Sequence, residues 1–193
     1  VSIVGPSGSG KSTLMNLISC LDSATAGNLI INNTDVTALR EAGLIKIRRE
    51  NIGFIFQQFY LIPTLTVREN IELPMLFAKK NINLEKFLAL LRELNLVDKQ
   101  ETLARHLSGG DKQRVGIARA LINEPKLIIA DEPSGKLETN ARAQILKLFK
   151  KLSEKGLAIF IATHDLELAQ NTQRIIHLQD GKIVPKEESD LYY

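Results

Sequence analysis

The chain has 193 residues, 44% of them hydrophobic and 24% charged, which is the composition of an ordinary soluble globular protein of one or two domains. Its net charge of +3 is too small to argue for a nucleic-acid partner. No apolar run approaches the ~20 residues of a membrane-spanning helix. The single cysteine, Cys20, excludes a disulfide within the chain, which fits a reducing cytosol, and we interpret it as a small core residue.

The first predicted strand, Val1–Val4, leads into a glycine-rich stretch that matches the phosphate-binding pattern G-x-x-x-x-G-K-[ST]. That stretch consists of Gly5, Pro6, Ser7, Gly8, Ser9, Gly10, Lys11, Ser12 and Thr13. Apolar residues at helical spacing follow, from Leu14 to Leu21. A strand before the pattern and a helix after it favour a phosphate-binding loop over a flexible glycine-serine turn. Because the predicted strand has no initiating Met before it, we expect the sequence to be a piece of a longer chain.

We call this stretch the phosphate loop. Its residue types suit the binding of phosphate groups and Mg²⁺. Gly8 and Gly10 let the backbone curl so that its N–H groups point at phosphate oxygens. The helix that follows adds its positive N-terminal end. Lys11 can reach the β- and γ-phosphates, and the Ser12 hydroxyl can ligate Mg²⁺.

Further along, the patterns predict strands and helices in alternation, interrupted by a purely helical region. Strands are predicted at 27–32, 52–56, 127–131 and 158–163, helices at 40–49 and 139–155, and a closing hairpin at 174–186. From Thr66 to Leu103 the periodicity is helical, and we expect Pro63 and Pro74 to break this region into pieces. Gly156 is predicted to end the last long helix, which Thr139 or Asn140 would cap. The tail after residue 186 is polar and predicted to fray.

Asp131 and Glu132 follow four apolar residues of a predicted core strand. A carboxylate at the carboxyl end of such a strand can hold Mg²⁺, often through water. Glu132 is then placed to act as a general base towards an attacking water molecule. The alternative is an acidic turn before Pro133, which the phosphate loop upstream makes less favourable.

A second glycine-rich stretch, Leu107 to Arg114, contains Ser108-Gly109-Gly110 and completes a set of motifs. With the phosphate loop, Gln57, Asp131-Glu132-Pro133 and Thr163-His164-Asp165, the chain resembles the ABC ATPase family from Val1 to about residue 186. The resemblance implies an α/β fold of the P-loop NTPase type, with a RecA-like core of mostly parallel strands flanked by helices. It also implies one ABC ATPase domain over 1–193, with the core at 1–57 and 119–193 and an inserted helical subdomain at 58–118.

Within the family, two chains form a head-to-tail dimer around two ATP molecules. Each site would combine the phosphate loop of one chain with Ser108, Gly109 and Gly110 of the other. The residues agree with this, because the helix predicted to begin at Ser108 offers a second set of free N–H groups for an anion. An ordinary helix cap is the alternative.

The resemblance also assigns roles to two polar residues that would otherwise mean little. Gln57 corresponds to the glutamine that contacts Mg²⁺ and the attacking water and couples to the membrane partner, with Gln58 as the competing candidate. His164 corresponds to the histidine that contacts the γ-phosphate and steadies Glu132. The implied cofactors are therefore ATP and Mg²⁺, with Ser12, Gln57 and Asp131 around the metal and Glu132, His164 and Gln57 in catalysis.

Three features depart from the family pattern. Asp111 stands where Gln or Glu is usual, and its charge lowers the positive potential of the helix end, while Lys112 and Arg114 oppose it. Glu138 stands where the inter-subunit loop usually has Asp. The aromatic residue that stacks on adenine in the family would lie upstream of residue 1.

The segments 54–67 and 69–74, and Ser19-Cys20-Leu21-Asp22, resemble the macrolide-export and lipoprotein-release branch. In that branch these segments contact an integral membrane permease subunit, which would hold this chain at the inner, cytoplasmic face of the membrane. The apolar stretch from Phe59 to Ile62 either makes that contact or packs beneath the helical subdomain.

Three functions remain open at this point. The chain is an ATPase subunit, in a homodimer or paired with another ABC subunit, that drives a separate membrane transporter. Alternatively, it transmits a signal through a membrane partner without transport, as in the cell-division branch, or it is a degenerate ATP-binding subunit. No sustained heptads occur between 58 and 107, so a DNA-repair type with a long coiled coil is not favoured.

Overall fold

The computed structural model describes residues 1–135 and 139–185, without the side chains of Thr139 and Asn140. Glu138, the tail from residue 186 and the choice of cap between Thr139 and Asn140 therefore lie outside the described residues. Within the described residues, no helix is both long enough and apolar enough to cross a bilayer.

The described part of the chain contains eight strands and seven helices. The strands are β1 (Ser2–Val4), β2 (Ile30–Ile31), β3 (Thr34–Asp35), β4 (Ile52–Ile55), β5 (Leu127–Asp131), β6 (Ala158–Ala162), β7 (Ile175–Gln179) and β8 (Lys182–Val184). The helices are α1 (Lys11–Ile18), α2 (Glu41–Asn51), α3 (Val67–Ala78), α4 (Leu84–Glu93), α5 (Gly109–Leu121), α6 (Thr139–Glu154) and α7 (Leu166–Gln170). Two short 3₁₀ turns, Val97–Lys99 and Ala104–His106, lie between α4 and α5.

Six strands form one sheet in the order β4-β5-β6-β1-β7-β8. Every pairing in it is parallel except that of β7 with β8, which form a hairpin. β5 and β6 are nearly continuous runs of Ile, Leu, Phe and Ala, as expected for parallel strands buried on both faces. The predicted α/β fold with a mostly parallel sheet and helices around it is confirmed.

The helices of the inserted region pack on the sheet through α5. At Gly53 of β4 an added Cβ would lie 2.3 Å from the carbonyl oxygen of Ala120, so only glycine allows this close approach. One apolar cluster runs from Phe87 and Leu91 of α4 through Val115 and Ile117 of α5 to the sheet. The predicted boundary at residue 118 falls inside α5, and the division into core and helical subdomain stays a prediction.

Two local predictions were wrong. Pro74 lies inside α3 and does not end it, since Val67, Ile71 and Met75 are buried along the helix and stabilise it across the proline. The strand predicted at 27–32 is reduced to β2, and residues 21–28 are exposed. Cys20 is 3% exposed and lies in a small apolar cluster, as interpreted from the sequence.

Candidate functional site

The predicted site residues follow four neighbouring strands of the sheet. Gly5 follows β1, Gln57 follows β4, Asp131 ends β5 and His164 follows β6. Because β4, β5, β6 and β1 are adjacent and parallel, their carboxyl ends lie at the same edge of the sheet. The topology therefore gathers residues that are more than 150 positions apart in the sequence.

The phosphate loop connects β1 to α1 and is shaped by its glycines. At Gly5 an added Cβ would lie 2.1 Å from the carbonyl oxygen of Leu178. Gly10 has φ +102°, a conformation that side-chain-bearing residues rarely adopt, and it stands at the start of α1 without a side-chain cap. The loop is held to the β7–β8 turn by a hydrogen bond from Gly181 N to Ser9 O at 2.9 Å.

Lys11 folds back over the loop that precedes it. Its Nζ donates to the carbonyl oxygens of Gly5 at 2.8 Å and Pro6 at 2.9 Å. An ammonium group held in this way adds a positive charge to the N-terminal end of α1. Both features attract an anion to the loop.

Asp131 lies in a setting that disfavours its charge. Burial, with the neighbouring charge of Glu132, raises the pKa of Asp131, and the ammonium of Lys11 partly opposes this. A divalent cation bound here would relieve both effects.

Hydroxyl, carboxylate and amide oxygens, as offered by Ser12, Asp131 and Gln57, are the ligands that Mg²⁺ prefers. Within residues 1–135 and 139–185, no group of three or more His, Cys, Asp or Glu could hold a metal. Mg²⁺ in proteins commonly combines a few such side-chain oxygens with phosphate oxygens and water, and this donor set fits that chemistry.

Glu132 is fixed by hydrogen bonds at its backbone and at both carboxylate oxygens. Its N–H donates to Ala162 O at 2.9 Å, and its φ is +43°, a strained value for a residue other than glycine. Oε1 accepts from His164 N at 2.8 Å and lies 2.7 Å from His164 Nδ1, while Oε2 accepts from Thr163 Oγ1 at 3.0 Å. The Glu132 side chain is 12% exposed and that of His164 is 70% exposed.

Gln57 is exposed and lies beside Glu132. A Cβ built on Gly135 would be 3.7 Å from both Gln57 Nε2 and Glu132 Cβ, so both residues lie close to Gly135. The turn that follows Gln57 is anchored. Arg119 of α5 donates to the carbonyl oxygens of Phe59 at 2.7 Å and Tyr60 at 2.6 Å.

No sequence pattern assigned Arg119 a role, and only its hydrogen bond across 60 positions of the chain shows one. Burial lowers the pKa of its guanidinium. In the anchored turn, Tyr60 and Ile62 are 61% and 42% exposed, whereas Leu61 packs against the main apolar cluster. Packing inside the chain therefore accounts for Leu61, and the contact with a membrane subunit stays a prediction for the exposed Tyr60 and Ile62.

Ser108, in the second glycine-rich stretch, is the N-cap of α5. Ser108 Oγ accepts from Asp111 N at 3.2 Å and donates to Asp111 Oδ2 at 2.7 Å. Asp111 is 5% exposed and also accepts from Lys99 Nζ and Arg114 Nη2, both at 2.6 Å. The carboxylate of Asp111 is thus paired with Lys99 and Arg114. From the sequence, Arg114 was named correctly, but Lys112 was expected in place of Lys99.

Burial raises the pKa of Asp111, but these hydrogen bonds outweigh it and hold the pKa at about 2. The carboxylate is therefore charged and compensated. Among the described residues, no hydrogen bond joins Ser108, Gly109 or Gly110 to the phosphate loop of the same chain.

Comparison with known proteins identifies the family of this chain. The sequence model of the family described as "ABC transporter" matches residues 1–135. The chain belongs to the ABC transporter family. Among curated ABC proteins, it is 44% identical over 193 residues to the uncharacterized ABC transporter ATP-binding protein YvrO of Bacillus subtilis, covering 99% of this chain and 84% of that protein.

Two further relatives of this ABC chain are informative. It is 43% identical over 186 residues to the macrolide export ATP-binding/permease protein MacB of Shigella flexneri, covering 95% of this chain and 29% of MacB. The cassette MJ0796 of Methanocaldococcus jannaschii has been solved as a dimer, and in a post-hydrolysis state bound to ADP and Pi. Both structures match with a TM-score of 0.86 at 44% identity, covering 95% of this chain and 82% of that one.

Proposed function

We propose that this chain is the ATP-binding subunit of an ABC transporter and hydrolyses ATP at the interface of a head-to-tail dimer. The observation that carries the proposal is the meeting of the phosphate loop, Asp131 and the Glu132–His164 pair at one edge of the sheet. Structures of the similar MJ0796 cassette as a dimer, and with ADP and Pi, support the dimer and the reaction.

The residues divide the reaction between them. Lys11 and the loop amides bind the β- and γ-phosphates, and the N-terminal end of α5 in the partner subunit closes on the γ-phosphate. Glu132 takes a proton from the attacking water as its oxygen bonds to the γ-phosphorus and the bond to ADP breaks. His164 steadies the Glu132 carboxylate, and Gln57 orients the water.

Mg²⁺ would be held by Ser12, Asp131 and Gln57, and when bound it neutralises charge on the phosphate oxygens. The chain acts as one ABC ATPase domain, with a core at 1–57 and 119–193 and a helical subdomain at 58–118. Its partner is an integral membrane subunit of the export or lipoprotein-release type, which holds it at the cytoplasmic face of the membrane. The exposed Tyr60 and Ile62 beside Gln57 suit that contact.

Substitution of Glu132 tests the enzymatic role. Glu132→Gln keeps the shape of the side chain and removes a charge that repels the γ-phosphate, so ATP should bind at least as tightly and the dimer should persist. Turnover should fall by about 10²- to 10⁴-fold, the usual worth of a general base. Asp131→Asn, in contrast, should lose Mg²⁺-dependent ATP binding.

ATP affinity, ATP turnover and dimer mass with Mg²⁺ would be measured for the parent and both variants. Turnover of Glu132→Gln within about threefold of the parent would place the base elsewhere. A parent that shows no turnover even with a membrane partner would instead be a degenerate ATP-binding subunit.

A further inference from the structure

The Glu132 carboxylate accepts a hydrogen bond from Thr163, the first residue of the Thr163-His164-Asp165 motif. The sequence alone assigned no role to this threonine. Thr163 follows β6, is 0% exposed, and donates from Oγ1 to Glu132 Oε2 at 3.0 Å. The other carboxylate oxygen, Oε1, is served by His164. Each oxygen of the proposed base therefore has its own partner.

The direction of the Thr163 hydroxyl proton follows from its second hydrogen bond. Asp165 N donates to Thr163 Oγ1 at 3.0 Å and occupies one lone pair of that oxygen. An ionised carboxylate can only accept, so the one hydroxyl proton points at Glu132. Thr163 is thus a donor whose orientation is set by the backbone.

The support behind Thr163 is rigid. Thr163 N donates to Ile3 O of β1 at 3.1 Å. Asp165 caps α7 by accepting from Leu168 N at 3.1 Å, and its Oδ2 lies 3.1 Å from Arg142 Nη1 of α6. The threonine is therefore tied to the central strand and, through Asp165, to two helices.

The position of the His164 side chain is less restricted, because it is 70% exposed while Thr163 is wholly buried. We propose that Thr163 is a positioning residue for ATP hydrolysis, whose hydroxyl fixes the Glu132 carboxylate so that it can receive the proton of the attacking water. This inference rests on the proposed function, in which Glu132 is the base. A general base must lie within hydrogen-bond reach of its proton, and a displacement of about 1 Å can cost 10²-fold in rate.

Thr163→Val removes the hydroxyl and keeps the size and branching of the side chain. We expect its kcat to fall by about 10- to 100-fold, while KM for ATP and ATP-dependent dimer formation stay within about twofold of the parent. Thr163→Ser restores the donor and should recover most of the kcat. A purely structural role for Thr163 would not produce this split between kcat and KM together with rescue by serine.

Thr172 provides a matched control. Its hydroxyl lies 2.9 Å from Ser2 Oγ and donates to Ala169 O at 2.8 Å, and among the described residues no hydrogen bond joins Thr172 to Glu132. Thr172→Val deletes a comparable hydroxyl and should keep the parental kcat. Thermal unfolding of all variants would show whether Thr163→Val is folded, with Thr163→Ser as the second variant if it is not.

A double-mutant comparison isolates the effect on Glu132. In the Glu132→Gln background, Thr163→Val should cause no further loss of turnover, because the base that Thr163 positions is already absent. The inference is overturned if Thr163→Val alone keeps a kcat within about twofold of the parent, if serine does not rescue it, or if the loss is the same in both backgrounds. Parental turnover by Glu132→Gln itself would instead overturn the proposed function.

Discussion

The two helix ends marked by the glycine motifs, at Gly10 of α1 and at Ser108 of α5, differ in their caps and in the charges of their first turns. The α1 end has no side-chain cap and no acid in its first turn, and Lys11 stands there with its ammonium on the loop carbonyls. The α5 end is capped by Ser108 and carries Asp111 in its first turn.

This difference has a consequence for binding. The α1 end exposes N–H groups and positive charge, so it can hold a triphosphate within one chain. At the α5 end, Ser108 already donates to Asp111, and it must exchange that partner for a phosphate oxygen. We therefore expect α1 to bind ATP first and α5 of the second chain to join once the nucleotide is in place.

A glycine-to-alanine substitution in each glycine motif should show the largest difference between the two helix ends, measured as lost folding stability. Gly5→Ala places a Cβ 2.1 Å from a backbone oxygen, and such overpacking should cost about 3 kcal/mol of folding free energy. At Gly110 the nearest atom to an added Cβ is Ala141 Cβ at 3.7 Å, an ordinary contact. Gly110→Ala should therefore change stability by less than about 1 kcal/mol. Urea unfolding of both variants measures this, and equal losses would contradict the comparison.

Replacing one lysine at each helix end by alanine shows how much the positive charge of that end contributes to ATP binding. Lys11→Ala should weaken ATP binding to the single chain by about 100-fold, since hydrogen bonds to charged groups are worth about 1.5–3 kcal/mol each. Lys112→Ala, in the first turn of α5, should leave that affinity nearly unchanged and only weaken the ATP-dependent dimer. Nucleotide titration at a protein concentration below that of dimer formation would test both. A large loss with Lys112→Ala would mean that α5 binds nucleotide in its own chain.

Asp111 gives the α5 end a pH dependence. Its pKa is about 2 in the folded chain against 3.8 ordinarily, so the group binds fewer protons when folded and stabilises the fold above pH ~4. That contribution, about 2 kcal/mol at pH 7, is lost as pH falls from about 4 to 2. Asp111→Asn should lack it, so the stability difference between the parent and this variant should shrink over that interval. A constant difference in urea unfolding across that range would show that the charge of Asp111 is not what stabilises α5.

Local patterns predicted what depends on local chemistry. The phosphate loop, β5 ending at Asp131 and the alternation of strands and helices all follow from residue types over short windows. The same short window indicated Glu132, and the resemblance to the ABC family then indicated Gln57 and His164. The structure places His164 Nδ1 2.7 Å from Glu132 Oε1.

Contacts between distant segments were not predictable in this way. Arg119 lies in a helix whose periodicity predicts only which side is apolar, and its bonds to Phe59 and Tyr60 depend on how α5 packs on β4. Lys99 reaches Asp111 from a 3₁₀ turn that no pattern predicted. Pro74 was misjudged because burial of α3 outweighs the local cost of a proline.

A mixture of two inactive variants tests the shared ATP site most directly. Lys11→Ala disables the phosphate loop, and Ser108→Arg disables the N-terminal end of α5, so each variant alone should be inactive. In a mixed dimer, both substitutions fall in one site and the other site is intact. The mixture should therefore hydrolyse ATP faster than the mean of the two separate variants. A rate equal to that mean, with both variants folded, would contradict a site built from two chains.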